Sequence, residues 1–538
     1  MYDQYTWVFA LSVIVAFFAA FGIGANDVAN SFASSVGAKA LTMVQALLVA
    51  AVCEFAGASL LGAGVTDTIR SNIAKVGVFT STPDLLMWGM FSVMIAAAFW
   101  DNLSCHLELP VSTTHTTVGG VIGMALVLKG GSAVVWSAHK HDFPYFQGVS
   151  AIVASWVISP ICSAIIVFIL FGLIRAFVLR SEHSFTRASY VLPFLVALTF
   201  FVIVVFIIQT GNKNKTWEPA VSEGKLAWIA AVIGAGIGLL CLFVLMPYLR
   251  KRGARYNVHT VLDTQAKEYD AGVAAIWENA EKFDPKTERL FRYLQVFSAM
   301  VMSFAHGSND VANAMGPFSA VYYIWDHQTV PTKAPVPEWI LLLGGAGIVV
   351  GLATYGYKIM RVLGVKAVKL TNSRGFCLEL STSVTVIVAS RYGLPVSTTQ
   401  VLCGAILGIG LFEGSKGVNW RMSARVFGGW VMTIFIAGLV AAFFTAIGVF
   451  SPNKVASNDN VTITNLLNSD TLKMIRQIND SSAAAGNAAL GAQLTNLNKT
   501  LTGLSKPGVH YPLEASQLTN QTLTLYNNTL VLPAVPGG

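Results

Sequence analysis

Twelve stretches of mostly apolar residues, each near the length that crosses a lipid bilayer, constrain this chain more than any other feature. A transmembrane helix takes about 20 such residues. The pattern predicts spans near 7–29, 43–64, 85–104, 111–128, 149–174, 189–210, 225–248, 293–318, 338–360, 376–390, 395–412 and 426–450. The pieces at 111–128, 376–390 and 395–412 are short or interrupted by proline, so re-entrant half-helices fit them as well as full crossings. The expected fold class is all-α, a polytopic integral membrane protein of about 12 spans.

Composition agrees. The chain is 54% hydrophobic and only 12% charged, whereas a soluble domain carries about 25% charged residues. The net charge of +8 does not point to nucleic acid, because the basic residues gather in connections between apolar stretches. Arg175, Arg180 and Arg187 lie in one connection, nine Lys and Arg in 250–292, four in 361–374, and Lys416, Arg421 and Arg425 in another. Twelve crossings put all of these on one side, which the positive-inside rule makes cytoplasmic. Both termini are then extracellular. The six cysteines sit singly in or beside apolar stretches and read as small core residues, not a metal or disulfide framework. The first stretch lacks a basic leader and a small-residue cleavage site, so it reads as a permanent span.

The tail after Phe450 is polar and rich in Asn, Thr and Ser, and it reads as flexible. It holds glycosylation sequons at Asn460, Asn479, Asn498, Asn520 and Asn527, with another at Asn214 in a loop the charges also put outside. The 256–289 segment mixes charges with Val, Ala, Trp and Phe, as an interfacial amphipathic helix or a solvated linker helix does.

Two motifs occur twice. GANDVAN (Gly24–Asn30) is followed by PVSTT (Pro110–Thr114), and GSNDVAN (Gly307–Asn313) by PVSTT (Pro395–Thr399). Asn26 precedes its proline by 84 residues and Asn309 by 86. With twelve crossings the copies run in opposite directions, as two inverted-topology repeats with a site near the midplane where they meet. The expected organisation is 1–180 for the first repeat, 181–250 for two linking helices, 251–290 for a cytoplasmic loop, 291–450 for the second repeat, and 451–538 for the tail.

Carboxylates within apolar stretches are costly and mark functional sites. Asp27, Glu54, Asp101, Asp310 and Glu379 are such residues. Sodium favours hard oxygen ligands, and Asn26, Asp27 and Asn30 bring several within one turn; Asn309, Asp310 and Asn313 repeat the set. Gly22, Gly24 and Gly307 are expected to loosen the helix and expose carbonyls. PVSTT has the opposite polarity. Its proline suits a helix first turn, and Ser112, Thr113 and Thr114, with Ser397, Thr398 and Thr399, set hydroxyls beside unpaired backbone N–H groups that bind oxyanions. No Arg or Lys is evident inside these spans. The anion is then expected to be held by neutral donors and co-bound cations, with a cation at Asp27 and Asp310 reversing a repulsion that otherwise excludes it.

At these motifs the chain resembles the inorganic phosphate transporter (PiT) family of sodium–phosphate symporters. The resemblance rests on Gly24–Thr42, Leu107–Gly120, Ala305–Pro317 and Gly393–Gly404 and covers roughly 5–450. It implies inverted repeats, a central site, alternating access and sodium coupling, with Asp27 and Asp310 as ion and phosphate ligands beside their Asn neighbours and the PVSTT hydroxyls. It also implies coupling or gating roles for Glu54, Glu379 and His306 and, as in eukaryotic members, a plasma-membrane location. The copies differ after PVSTT, where His115 stands in one and Gln400 in the other.

The expected function is secondary active symport of inorganic phosphate with sodium. Rivals are a proton-coupled phosphate or sulfate carrier and a non-transporting phosphate sensor, which the small cytoplasmic loops disfavour. No nucleophile–base pair, nucleotide loop or metal-ligand set points to an enzyme, and no cofactor is expected beyond co-transported Na+. The expected partners are phosphate, sodium and the bilayer, with homodimerisation left open.

Overall fold

The computed structural model describes residues 2–62, 73–139, 141, 145–213, 220–254, 271–331, 336–391 and 396–450. Residues 1–449 form one compact unit. The first half comprises α1 (Thr6–Asn26), α2 (Ala29–Gly37), α3 (Met43–Leu61), α4 (Pro83–His106), α5 (Thr113–Lys129) and α6 (Val149–Ile174). A short ribbon of β1 (Ala138–His139) and β2 (Phe146–Gln147) precedes α6. Next come α7 (Ser184–Lys213), α8 (Glu223–Leu240) and α9 (Met246–Ala254). The second half has α10 (Ala271–Asn279), α11 (Pro285–His327), α12 (Glu338–Arg361), α13 (Asn372–Arg391), α14 (Thr398–Gly410) and α15 (Trp420–Phe450).

The described part of each of the twelve predicted stretches falls largely on a helix. Eight helical segments among the described residues are long and apolar enough to cross a membrane. The molecule is all-α and polytopic, and its polarity runs outside in. Trp7, Leu11, Ile14 and Phe18 of α1 and Phe427, Phe435, Leu439 and Phe443 of α15 are exposed, while Asn26, Asp27, Glu54, Asp101, Asp310 and Glu379 are buried. An apolar surface around a polar centre suits lipid as the solvent.

The short pieces form two helical hairpins. α4 and α5 run antiparallel, with Gly89 against Met124 and Leu128 and Gly120 against Val93. The segments before and after this pair meet, since Lys75 donates to the Ala133 carbonyl. α13 and α14 behave alike: Asn419, after α14, donates to the Ala367 carbonyl before α13. Each hairpin therefore enters and leaves at one end of the bundle. α4 starts beside the start of α1, where Trp7 meets Trp88. α13 starts beside the start of α11, where Ser373 bonds Glu288.

α1 and α11 carry the two NDVAN motifs and lie antiparallel. Tyr2 donates to the Trp325 carbonyl, Phe9 stacks on Trp325 and Phe318, and Asp27 lies near Asp310. The two hairpins thus enter from opposite ends. Helix contacts repeat across the halves: α1 packs on α12, and α11 on α3. A Cβ at Gly24 would lie 1.8 Å from the Ile348 carbonyl oxygen, and one at Gly307 2.3 Å from that of Glu54. Only glycine permits either approach.

Several expectations need correction. Neither motif glycine loosens its helix; both serve close packing, and Gly307 sits in an unbroken α11. Ser112, not proline, caps α5, and Thr113 opens the helix. Pro395 lies outside the described residues. Arg374, read from sequence as a loop charge, lies on α13 and is 1% exposed. It bonds Glu413 at 2.6 Å and is flanked by Phe171 and Phe283. The one described helix of 256–289 before α11 is α10. Its Val273, Ile276 and Trp277 are buried with Val365, so this face covers protein and does not lie in lipid. The tail and all six sequons, Asn214 included, fall outside the described residues.

Candidate functional site

The first NDVAN sits where α1 gives way to α2. Asp27 keeps its helical bond to the Ile23 carbonyl at 2.8 Å. Asn30 then donates to Asp27 and Ser31 to Val28, at 2.9 and 3.0 Å. This is a tightened turn with i→i+3 bonds, so the backbone stays paired while the helix is re-aimed. The second NDVAN stays inside α11, so the two copies present the same side chains on different backbones.

The side chains converge across the halves. Thr113 donates to Asp27 Oδ2 at 2.6 Å, and Thr399 of the other half donates to Asp27 Oδ1 at 3.0 Å. Thr398 donates to Asp310 Oδ2 at 3.1 Å. The asparagines cross over: Asn30 donates to Thr399 at 2.8 Å, and Asn313 to Thr113 and Thr114 at 3.2 and 3.3 Å. One carboxylate oxygen from Asp27, one from Asp310 and a ring nitrogen of His306 lie within 4.8 Å of one another. All three residues are no more than 2% exposed.

Two further carboxylates flank this centre. His306 Nδ1 pairs with Glu54 Oε2 at 2.8 Å, and Ser303 donates to Glu54 Oε1 at 2.9 Å. The other ring nitrogen, Nε2, is 2.8 Å from Asp310 Oδ2 but lies off hydrogen-bond alignment. That contact is an ion pair when the imidazole is protonated. Imidazole thus joins Glu54 on α3 to Asp310 on α11. Glu379 on α13 accepts from Ser34 and Ser35 of α2, at 2.5 and 2.9 Å, and from Ser298 and Gln295 of α11.

Other predicted residues take local roles. Both ends of the Asn26 amide grip the α4–α5 connection: Nδ2 donates to Ser104 and the Leu109 carbonyl, and Oδ1 accepts from Val111 N–H. Asn309 donates to its neighbour Asp310 at 2.9 Å. Ser112 and Ser397 cap α5 and α14 by accepting from His115 and Gln400 N–H. Asp101 accepts from Thr116 at 2.6 Å. Ser34, Ser35, Gln295, Ser298 and Ser303 were not singled out from sequence. The signal for the first two was present, since SFASS directly follows NDVAN.

The arrangement has a clear electrostatic bias. Two ionised carboxylates about 5 Å apart repel by about 3 kcal/mol at an effective dielectric of 20. A small cation beside them relieves that repulsion and uses oxygen ligands already in place. The threonine hydroxyls donate to these carboxylates, and a cation that takes the carboxylate oxygens competes for them and frees donors for an oxyanion.

Comparison with known proteins agrees with this chemistry. The model of the phosphate transporter family matches residues 23–441. A phosphate permease candidate of Thermococcus kodakarensis is 36% identical over 436 residues, 80% of this chain and 96% of that protein. The phosphate-repressible phosphate permease of Neurospora crassa is 28% identical over 587 residues, 84% of this chain and 98% of its own. A solved structure, described as the sodium-dependent phosphate transporter, superposes with a TM-score of 0.68 at 33% identity, covering 82% of this chain and 98% of that one.

Proposed function

The chain belongs to the phosphate transporter family, and from that membership we propose that it carries inorganic phosphate into the cell together with sodium, by alternating access. It is a transporter and not an enzyme. The observation that carries the sodium-coupled reading is the meeting of Asp27 and Asp310, one from each half, with PVSTT hydroxyls from both halves on Asp27.

In this reading sodium is cargo. It occupies oxygens of Asp27 and Asp310, with Asn30 and Asn313 beside them. Thr113, Thr114, Thr398 and Thr399 then turn their hydroxyls to phosphate. Asn26, Ser112 and Ser397 hold the backbone that presents these groups, and Asn309 steadies the Asp310 carboxylate. Glu54, His306 and Glu379 tie α3, α11 and α13 to the centre and couple its occupancy to helix movement. The chain works at the plasma membrane with both termini outside, and the halves 1–180 and 291–450 move about the shared site. Hairpins entering from opposite ends suit such motion, because each can open while the other stays shut.

The test is uptake of radiolabelled phosphate into proteoliposomes, with sodium, lithium or choline outside and sulfate as competitor. Sodium alone is expected to support rapid uptake that sulfate leaves intact. Equal uptake in choline refutes sodium coupling. A second reading, proton coupling, draws on the Glu54–His306–Asp310 chain; uptake in sodium-free buffer at two pH values separates it.

A further inference from the structure

Behind the threonines of the site lies a buried group of polar side chains, most of whose polar atoms have no hydrogen-bond partner among the described residues. Among the described residues, Oε1 of Gln400, the indole nitrogens of Trp156 and Trp430, and the hydroxyls of Ser159 and Ser163 have no partner, and the His115 ring has only an off-geometry contact with the Trp430 backbone. His115, Gln400, Ser159 and Ser163 are at most 4% exposed. Native proteins leave few buried polar groups unpaired, and bound water is a usual partner where several converge.

The packing brings His115, Gln400, Trp156 and Trp430 to one level, and Ser159 and Ser163 continue from it along α6. The His115 and Trp156 rings are 4.4 Å apart between centroids. A Cβ at Gly404 would lie 2.2 Å from the Pro160 carbonyl oxygen, and one at Gly408 2.8 Å from that of Ala164. α14 and α6 therefore run parallel, and one turn earlier Gln400 stands level with Trp156. Gly119 and Gly123 meet Ile434 and Gly438 in the same way, which sets His115 level with Trp430. Trp156, Ser159 and Ser163 follow at helical spacing on one face of α6.

The equivalent stripe on α15 is a useful contrast. Thr433 there accepts from Trp100 Nε1 at 2.9 Å and donates to the Gly429 carbonyl at 2.7 Å. Ser159 and Ser163 of α6 are buried as well and have no such partner among the described residues. We propose that this layer is an internal hydration site, in which ordered water bridges His115, Gln400, Trp156, Ser159 and Ser163. The chemistry selects water over an ion. Among the described residues the group has no carboxylate for a cation and no lysine or arginine for an anion, but it mixes neutral donors and acceptors. His115 and Gln400 directly follow Thr114 and Thr399. Water behind them lets the first turns of α5 and α14 shift against α6 and α15 without stranding polar groups, because bridging bonds re-form in the new register.

Stability gives a test with opposite signs. If water bridges the two serines, Ser159→Ala with Ser163→Ala removes real hydrogen bonds and lowers the thermal unfolding midpoint of the purified full-length protein by about 2 °C or more. If the layer is dry, alanine removes unpaired hydroxyls and the midpoint holds or rises. Thr433→Ala, which loses a bond already present, is the control that falls either way. A structure of the wild type at a resolution that shows buried water is the second measurement. Water density between His115 and Ser159 together with a lowered midpoint supports the proposal. An unchanged or raised midpoint, or no such density, overturns it.

Discussion

Thr399, in the first turn of α14, donates to Asp27 at 3.0 Å although 372 residues separate them. This bond ties the second half's hairpin to the first half's motif, and Thr113 holds the other oxygen of the same carboxylate. A hydrogen bond to a charged group contributes about 1.5–3 kcal/mol. Thr399→Val is expected to lower sodium-driven phosphate uptake at limiting substrate by about tenfold or more, while Thr399→Ser, which keeps the hydroxyl, retains most of it. Uptake in proteoliposomes over a range of phosphate concentrations checks both.

Glu54 and His306 should behave as one unit. Each lies in the other's hydrogen-bond shell at 2.8 Å, both at most 1% exposed. Removing one partner strands the other, so Glu54→Gln and His306→Gln should each reduce transport strongly. The double variant should lose less than the sum of the two losses. A double-mutant cycle on uptake rates measures this coupling, expected within about 0.5–3 kcal/mol; strict additivity would place the two in separate roles.

How much of this was legible beforehand depends on what carries the information. The membrane class and the twelve helices follow from long apolar runs, because lipid leaves a spanning segment little choice but helix. The duplication singled out Asp27 and Asp310, which the fold brings together. It did not show which partner each would find. The bond from Thr399 to Asp27 and those from Asn313 to Thr113 and Thr114 cross between halves, and spacing along the chain holds no record of such crossings. The glycines were misread for a related reason: local sequence shows that Gly24 is flexible, but only packing shows Ile348 lying against it. Arg374 looked like a loop charge because the aromatic rings and Glu413 around it are distant in sequence.

Glycine substitutions test that packing. Gly24→Ala and Gly307→Ala each force a methyl group into a neighbouring backbone, and overpacking of this kind costs about 1–3 kcal/mol or more. Both should lower the thermal midpoint and the monodisperse fraction in detergent. Gly77→Ala, where nothing lies within 4 Å, should do neither.

At the end of the bundle where α11 begins, Glu281 accepts from Arg180 at 2.7 Å and Arg175 at 2.6 Å. Partial burial by itself raises this carboxyl, but the guanidinium groups of Arg180 and Arg175 outweigh it and hold it below its ordinary range. A depressed carboxylate stabilises the folded state above its unfolded value of about 4.3. That contribution fades as pH falls through the lower folded value. Stability between about pH 5 and pH 3 should therefore fall more steeply in wild type than in Glu281→Gln. Thermal unfolding across this window reads the difference, and added salt should shrink it.

The central claim is that the paired aspartates admit an oxyanion only with sodium beside them. Equilibrium binding of radiolabelled phosphate to the purified protein tests it most directly, in sodium and in choline, for wild type and for Asp27→Asn with Asp310→Asn. The account predicts that wild type binds phosphate in sodium and fails to bind it in choline, and that the double variant loses this dependence. Equal phosphate affinity of wild type in the two salts would contradict it.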